Sequence, residues 1–208
     1  MNLIGFDFSI NKPAACIFNG KDYIFMSWPY NQSDKNIKSF KDAGVQIIER
    51  TDNKDKGENI TDKIRYEVEN SQYLSYLILE SVHPYLDEDT ILGFEGLSYG
   101  SSGANGIQLG AYKYMLMDRL NRYIPLNQMY TYSPITIKSI AGCAKKGMGK
   151  SEMIEAFIKN SSYSELKNSL INNRQQFRKK GDRSWIDHLD DLIDAYWSIE
   201  TMRVKENF

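Results

Sequence analysis

The chain has 208 residues, 41% hydrophobic and 25% charged, with 26 basic side chains against 27 acidic ones and a formal net charge of -1. That size and balance predict one soluble globular domain with a real core, exclude a membrane-spanning chain, and do not advertise nucleic-acid binding. Two cysteines (Cys16, Cys143) and two histidines (His83, His188) lack zinc-ligand spacing, and the first residues carry no basic flank or cleavage site, so a reducing cytoplasm is expected without a signal peptide.

Residues 3–10 alternate, with Ile4, Phe6, Phe8 and Ile10 on one face and Leu3, Gly5, Asp7 and Ser9 on the other, which predicts a strand. Asn11-Lys12-Pro13 reads as a turn. Strands at 14–18 and 23–28 follow, joined at Asn19-Gly20, a strong hairpin signal. Residues 31–59 are polar and lysine-rich, with one short strand candidate at 45–50, and read as an insertion. A helix capped by Thr61 or Asp62 runs to about residue 82, with Ile64, Val68, Tyr73, Leu74, Leu77 and Ile78 as its apolar positions. A strand at 90–97 leads into the small-residue run 98–103 and a helix at 104–123. A strand at 127–132, a short helix from Pro134 and a helix at 151–159 come next. Residues 161–184 are polar and read as a second insertion, partly mobile, before a last helix at 185–204. The order predicts a mixed α/β fold around one five-stranded sheet flanked by helices.

Two acids lie where folding alone does not favour them. Asp7 sits in the apolar run Leu3-Ile4-Gly5-Phe6-Asp7-Phe8, and Glu95 in Ile91-Leu92-Gly93-Phe94-Glu95-Gly96. A carboxylate in an apolar strand loses hydration and gains nothing unless positive charge compensates it. Small neighbours, Gly5 and Ser9 beside Asp7 and Gly93 and Gly96 beside Glu95, leave room for a bound group. In the last helix Asp187, Asp190, Asp191 and Asp194 follow i, i+3, i+4, i+7 spacing and share a face. A solvated face of an amphipathic helix produces that pattern too. Four like charges on one stripe repel, and a dication would relieve them. Oxygen-only ligands favour Mg²⁺ or Mn²⁺ over zinc, and two such ions suit in-line phosphoryl displacement, so the acids together point to a metal-dependent nuclease.

Charge is unevenly placed. Lys138, Lys145, Lys146 and Lys150 occupy a stretch without an acid, and Arg174, Arg178, Lys179, Lys180 and Arg183 face only Asp182. Such patches neutralise phosphates without reading bases. Phe177 and Trp185 are candidates for stacking on an unpaired base.

Four places in the sequence resemble the RuvC-like Holliday junction resolvases of the RNase H-like superfamily, in the form carried by some phages. Gly5-Phe6-Asp7-Phe8-Ser9 looks like the family's opening G-x-D-x-S block, and Phe94-Glu95-Gly96 like its second acidic strand. Asn105 and Leu109-Gly110 resemble the start of the following helix, and Asp191-Leu192-Ile193-Asp194-Ala195 the closing D-x-x-D-A block. Residues 134–150 are similar to the lysine-bearing helix and Gly/Lys loop beside the DNA.

The resemblance implies Asp7, Glu95, Asp191 and Asp194 as catalytic metal ligands for two Mg²⁺ or Mn²⁺ ions, with Asp190 as an alternate and His188 a further possibility. It implies Lys138 and Lys150 at phosphates, Lys145, Lys146 and Arg178 along the DNA, and Tyr99 reaching into the junction. It further implies a homodimer on branched DNA, for which the helix at 104–123, with Tyr112, Met115, Leu116 and Leu120, is the candidate interface. The insertions at 31–59 and 161–184 depart from the compact bacterial form and leave substrate preference open. Other readings are an RNase H or terminase-type nuclease, an actin-like ATPase, and a DNA-binding module without catalysis.

Overall fold

The opening meander forms as its alternation predicts. The computed structural model describes residues 1–52, 57–96, 104–179 and 184–208. Strands β1 (Leu3–Asp7), β2 (Ala14–Phe18) and β3 (Tyr23–Ser27) pair antiparallel in sequence. The β2–β3 turn uses both predicted residues. Gly20 takes φ +90°, a left-handed value that a Cβ disfavours, and the Asn19 side chain accepts from the Lys21 and Asp22 amides at 3.0 and 2.8 Å. β1 ends at Asp7 and not at Ile10, because its pairing with β2 stops where the chain turns back, and Ser9 Oγ accepts from the Lys12 amide at 3.0 Å.

After β3 come α1 (Asp34–Lys41), β4 (Gln46–Ile47), α2 (Ile60–Val82), β5 (Ile91–Glu95), α3 (Ala104–Leu120), β6 (Met129–Tyr132), α4 (Pro134–Ile140), α5 (Lys150–Asn160), α6 (Glu165–Asn172) and α7 (Leu189–Glu206). The sheet runs β4-β3-β2-β1-β5-β6, so it has six strands where five were expected. The extra strand, β4, pairs parallel to β3 through two residues, too few for alternation to reveal in sequence. β1, β5 and β6 are parallel neighbours.

Each sheet face is apolar and each is covered. Ile4, Phe6, Ala15, Ile17 and Met26 meet α2 and α3 through Leu74, Ile78, Tyr112, Leu116 and Leu120. Leu3, Ala14, Cys16 and Phe25 meet α7 through Leu192, Ala195, Tyr196 and Ile199, with α5 and α6 beyond. Burying one such aliphatic side chain stabilises the fold by about 1.5–3 kcal/mol. Tyr112, Leu116 and Leu120 are therefore core residues, and the expectation that they form a dimer interface is corrected. α2 is longer than its packed part. Ile64 and Val68 are exposed, against expectation, and burial starts at Asn70.

Both stretches read as polar insertions contribute to the core. In the first, Ser33 caps α1, Phe40 is fully buried, and Arg50 is held by Asp52 while donating to the carbonyls of Ile10 at 2.7 Å and Trp28 at 3.3 Å. In the second, Leu166, Leu170 and Phe177 are buried. Phe177 and Trp185 are 0% and 6% exposed, so neither offers a face to an unpaired base, which corrects that reading. Among the described residues no helix is long and apolar enough to cross a membrane.

Candidate metal centre

The register of the parallel strands brings the first two acids together. β1 and β5 pair Gly5 with Gly93 and Phe6 with Phe94, and the next residue on each strand is the acid. With a period of two, Asp7 and Glu95 share the face that α7 covers. That helix lies unusually close. A Cβ on Gly5 would stand 2.1 Å from the carbonyl oxygen of Ala195, so only glycine admits the helix backbone there. Asp194 precedes that carbonyl by one residue and reaches the same place. One carboxylate oxygen from each of Asp7, Glu95 and Asp194 lies within 4.8 Å of the others. All three keep some contact with solvent.

The remaining acids of the C-terminal segment divide. α7 begins after His188, whose φ of +81° interrupts the helix predicted to start at 185. Asp187 therefore stands outside it, exposed, and accepts from Lys179 Nζ at 2.6 Å. That lysine holds its carboxyl below the ordinary range. Asp190 pairs with Lys150. Asp191 accepts from His188 Nδ1 at 2.8 Å. The expected stripe of four aspartates is thus three residues on the helix, Asp190 engaged by Lys150 from α5 and Asp191 by the helix's own N-cap His188.

Electrostatics set the three-acid cluster apart. Burial raises Asp7 well above the usual aspartate value, and the charges of Asp191, Glu95, Asp194 and Asp190 raise it further. Asp194 is likewise raised well above it, by burial and then by Glu95, Asp190 and Asp191, against some relief from Lys150. Burial raises Glu95 too, opposed by Lys138 and Lys113. Close carboxylates with raised proton affinity are an uncompensated negative site. The donor set is oxygen only, which fits a hard divalent ion such as Mg²⁺ or Mn²⁺.

A measurable consequence follows for the metal-free protein. Each of the three acids binds its proton more tightly folded than unfolded, so above the ordinary values of 3.8 and 4.5 the native state holds more protons. Unfolding free energy then falls as pH rises through that window. Scanning calorimetry at pH 5 and pH 7.5 is expected to show these acids costing stability at the higher pH. Added Mg²⁺ or Mn²⁺ is expected to raise Tm more at pH 7.5 than at pH 5. Equal ion effects at both pH values would count against a cation site.

Lys113 was not foreseen. It is 3% exposed, its Nζ donates to the Glu95 carbonyl at 2.6 Å, and it lies 5.5 Å from the Phe94 ring centroid. Burial pulls it down to about 8, with Glu95 and Asp7 opposing. A signal existed, since Lys113 falls within the core-facing stripe of Leu109, Tyr112 and Leu116. Of the expected DNA-contact residues, Lys138 is half-buried near Glu95, and Lys145, Lys146 and Lys150 are exposed. Arg178 is engaged internally, 3.3 Å from Glu155 and with its guanidinium 3.8 Å from the Trp185 ring centroid. Tyr99, Lys180, Asp182 and Arg183 lie outside the described residues.

No family model matches the sequence, and no curated protein matches it. Comparison with solved structures does find similarity. RuvC of Thermus thermophilus superposes with a TM-score of 0.54 at 12% identity, over 99% of this chain and 97% of that one. RuvC of the same organism in complex with a Holliday junction substrate superposes with a TM-score of 0.52, also at 12% identity, over 98% and 95%. The fold is therefore similar to that of RuvC, as the resemblance implied, with six strands.

Proposed function

We propose that the chain is a structure-selective endodeoxyribonuclease that resolves four-way and other branched DNA junctions, using two divalent ions per site. The observation that supports this most is the meeting of Asp7, Glu95 and Asp194 within 4.8 Å, on a fold shared with a protein solved on a Holliday junction substrate. Bound there, Mg²⁺ or Mn²⁺ would supply charge neutralisation at the scissile phosphate and a lowered pKa for an attacking water.

The chain's own residues do the rest. Asp7, which feels the charges of both Asp191 and Glu95, is suited to serve both ion positions, with Asp194 completing the ligand set. Lys138 and Lys150 lie close enough to the cluster to act on Glu95 electrostatically, and they would hold the phosphate against it. Lys145 and Lys146, exposed on the loop between α4 and α5, would neutralise phosphates further along the strand. Lys113 fixes the end of β5 through the Glu95 carbonyl. A second copy related by a two-fold axis would present two such sites to one four-way junction. Both cysteines are buried free thiols, which accords with a cytoplasmic setting.

A nicking assay tests the reading. Immobile four-way junctions, flaps, RNA–DNA hybrids and linear duplex are offered with Mg²⁺ and with Mn²⁺. Preferred cleavage of the junction, in two strands of like polarity with 5′-phosphate and 3′-hydroxyl ends, is expected. Preference for the hybrid would replace the reading with an RNase H, and no cleavage of any substrate would reject it.

A further inference from the structure

One row of residues crosses the sheet beneath the cluster. Glu95 ends β5, Asp7 ends β1, Asp7 pairs with Ala14 of β2, and Ala14 pairs with Ser27 of β3. Cross-strand partners share a face, so Ser27 points to the same side as Asp7, two strand spacings or roughly 10 Å away. Ala14 between them has only a methyl group and is buried in the cluster that α7 joins. His188 and Asp191 occupy that side. Ser27 Oγ is hydrogen-bonded to His188 Nε2, and His188 Nδ1 lies 2.8 Å from Asp191 Oδ2. The carboxylate can only accept, so Nδ1 donates to Asp191, while Nε2 shares a hydrogen bond with the serine hydroxyl.

This chain is built rigidly. Ser27 and His188 are 0% and 2% exposed. The imidazole is bordered edge-on by the fully buried Phe40, at 5.8 Å between centroids. His188 holds a left-handed φ of +81°, a conformation that costs free energy outside glycine and persists where surrounding contacts enforce it. The order hydroxyl, imidazole, carboxylate resembles a nucleophilic triad, but a completely buried Ser27 cannot meet a substrate. Both ring nitrogens are occupied, so His188 is not placed as a metal ligand either. What the chain does is hold the Asp191 carboxylate by its imidazole, beside the acids, where its charge acts on both Asp7 and Glu95. Asp191 is absent from the three-acid group that Asp7, Glu95 and Asp194 form.

We propose that Ser27 and His188 are positioning residues that fix Asp191 beside the acids, and that this builds the second of two divalent-ion positions. The first position, on the β5 side, belongs to Asp7, Glu95 and Asp194 and does not depend on them. The proposal rests on the metal-centre reading given above. It deepens that reading by making the two positions unequal: one preassembled from three acids, the other dependent on a buried imidazole.

The test uses the full chain and Mn²⁺ alone, read by calorimetry and by electron paramagnetic resonance, where a coupled ion pair differs from a single ion. His188→Gly keeps the left-handed backbone and removes the donor. His188→Asn accepts the same backbone and returns an amide donor near the Nδ1 position. Wild type and H188N are expected to bind two ions with the coupled signal. H188G is expected to bind one, with the tighter site within about threefold of wild type and the weaker site lost. Ser27→Ala, which keeps the ring but frees it to turn, is expected to weaken the second site about tenfold, the lower end of what outer-shell partners contribute. Circular dichroism checks that each variant folds, and if H188G does not, S27A decides. Two ions with unchanged affinities in H188G, or in S27A where it decides, would overturn the proposal while leaving the metal centre intact. One ion in wild type would also overturn it, and none in wild type would overturn the metal centre itself.

Discussion

Asp7→Asn is expected to abolish junction cleavage, by about a thousandfold or more, while junction binding persists. On the proposed reading the carboxylate serves both ions, together with Glu95 and Asp194, and its replacement would weaken their binding together. Several kcal/mol of transition-state charge stabilisation would depend on those ions, and each ~1.4 kcal/mol is a tenfold change in rate. The substitution keeps shape and removes one buried negative charge from a site crowded with them. The metal-free variant should therefore melt no lower than wild type at pH 7.5, and higher if repulsion dominates. Single-turnover cleavage, gel-shift binding and thermal denaturation separate these effects. Retained cleavage by the purified variant would remove Asp7 from the reaction.

Gly5→Ala is expected to be the most disruptive one-methyl change in the sheet. The added Cβ would meet the Ala195 carbonyl oxygen at 2.1 Å and Ile199 Cγ1 and N at 3.0 and 3.1 Å. Two of those atoms are helix backbone, which cannot turn aside, so α7 must shift. Overpacking of this kind costs about 1–3 kcal/mol, roughly a 2–12 °C fall in Tm for a chain of this size. A shifted α7 also carries Asp191 and Asp194 away from Asp7, so Mn²⁺ affinity should fall with stability. Gly93→Ala is the control. The three atoms nearest its Cβ would all belong to the Met202 side chain, at 2.8 to 3.0 Å, and a flexible thioether can move. G93A should therefore lose less of both. Equal melting temperatures for G5A and wild type would show that the close approach carries no constraint.

The contrast between those glycines shows where sequence reading stops. Gly5 and Gly93 look alike in their strands, each two residues before an acid. Which of them meets immovable backbone depends on the seat of α7. The same holds for the bases. Lys179 and Lys150 neutralise Asp187 and Asp190 from other segments, and Lys113 is buried under Glu95 from α3, none of it visible in the acids' own surroundings. The resemblance offers His188 as a further ligand, and the fold turns both its nitrogens to protein partners. Phe177 and Trp185 sit in a basic run that suggested a surface, yet they are core.

Short-range pattern sufficed for the meander and for the two strands that carry Asp7 and Glu95, because alternation and apolar context act over a few residues and are written in neighbouring letters. The sixth strand, the start of α7, the separation of Asp187 from its neighbours and the Ser27–His188–Asp191 chain were settled only in three dimensions. Each depends on which distant side chain arrives at a given point, and burial and charge compensation are sums over those arrivals.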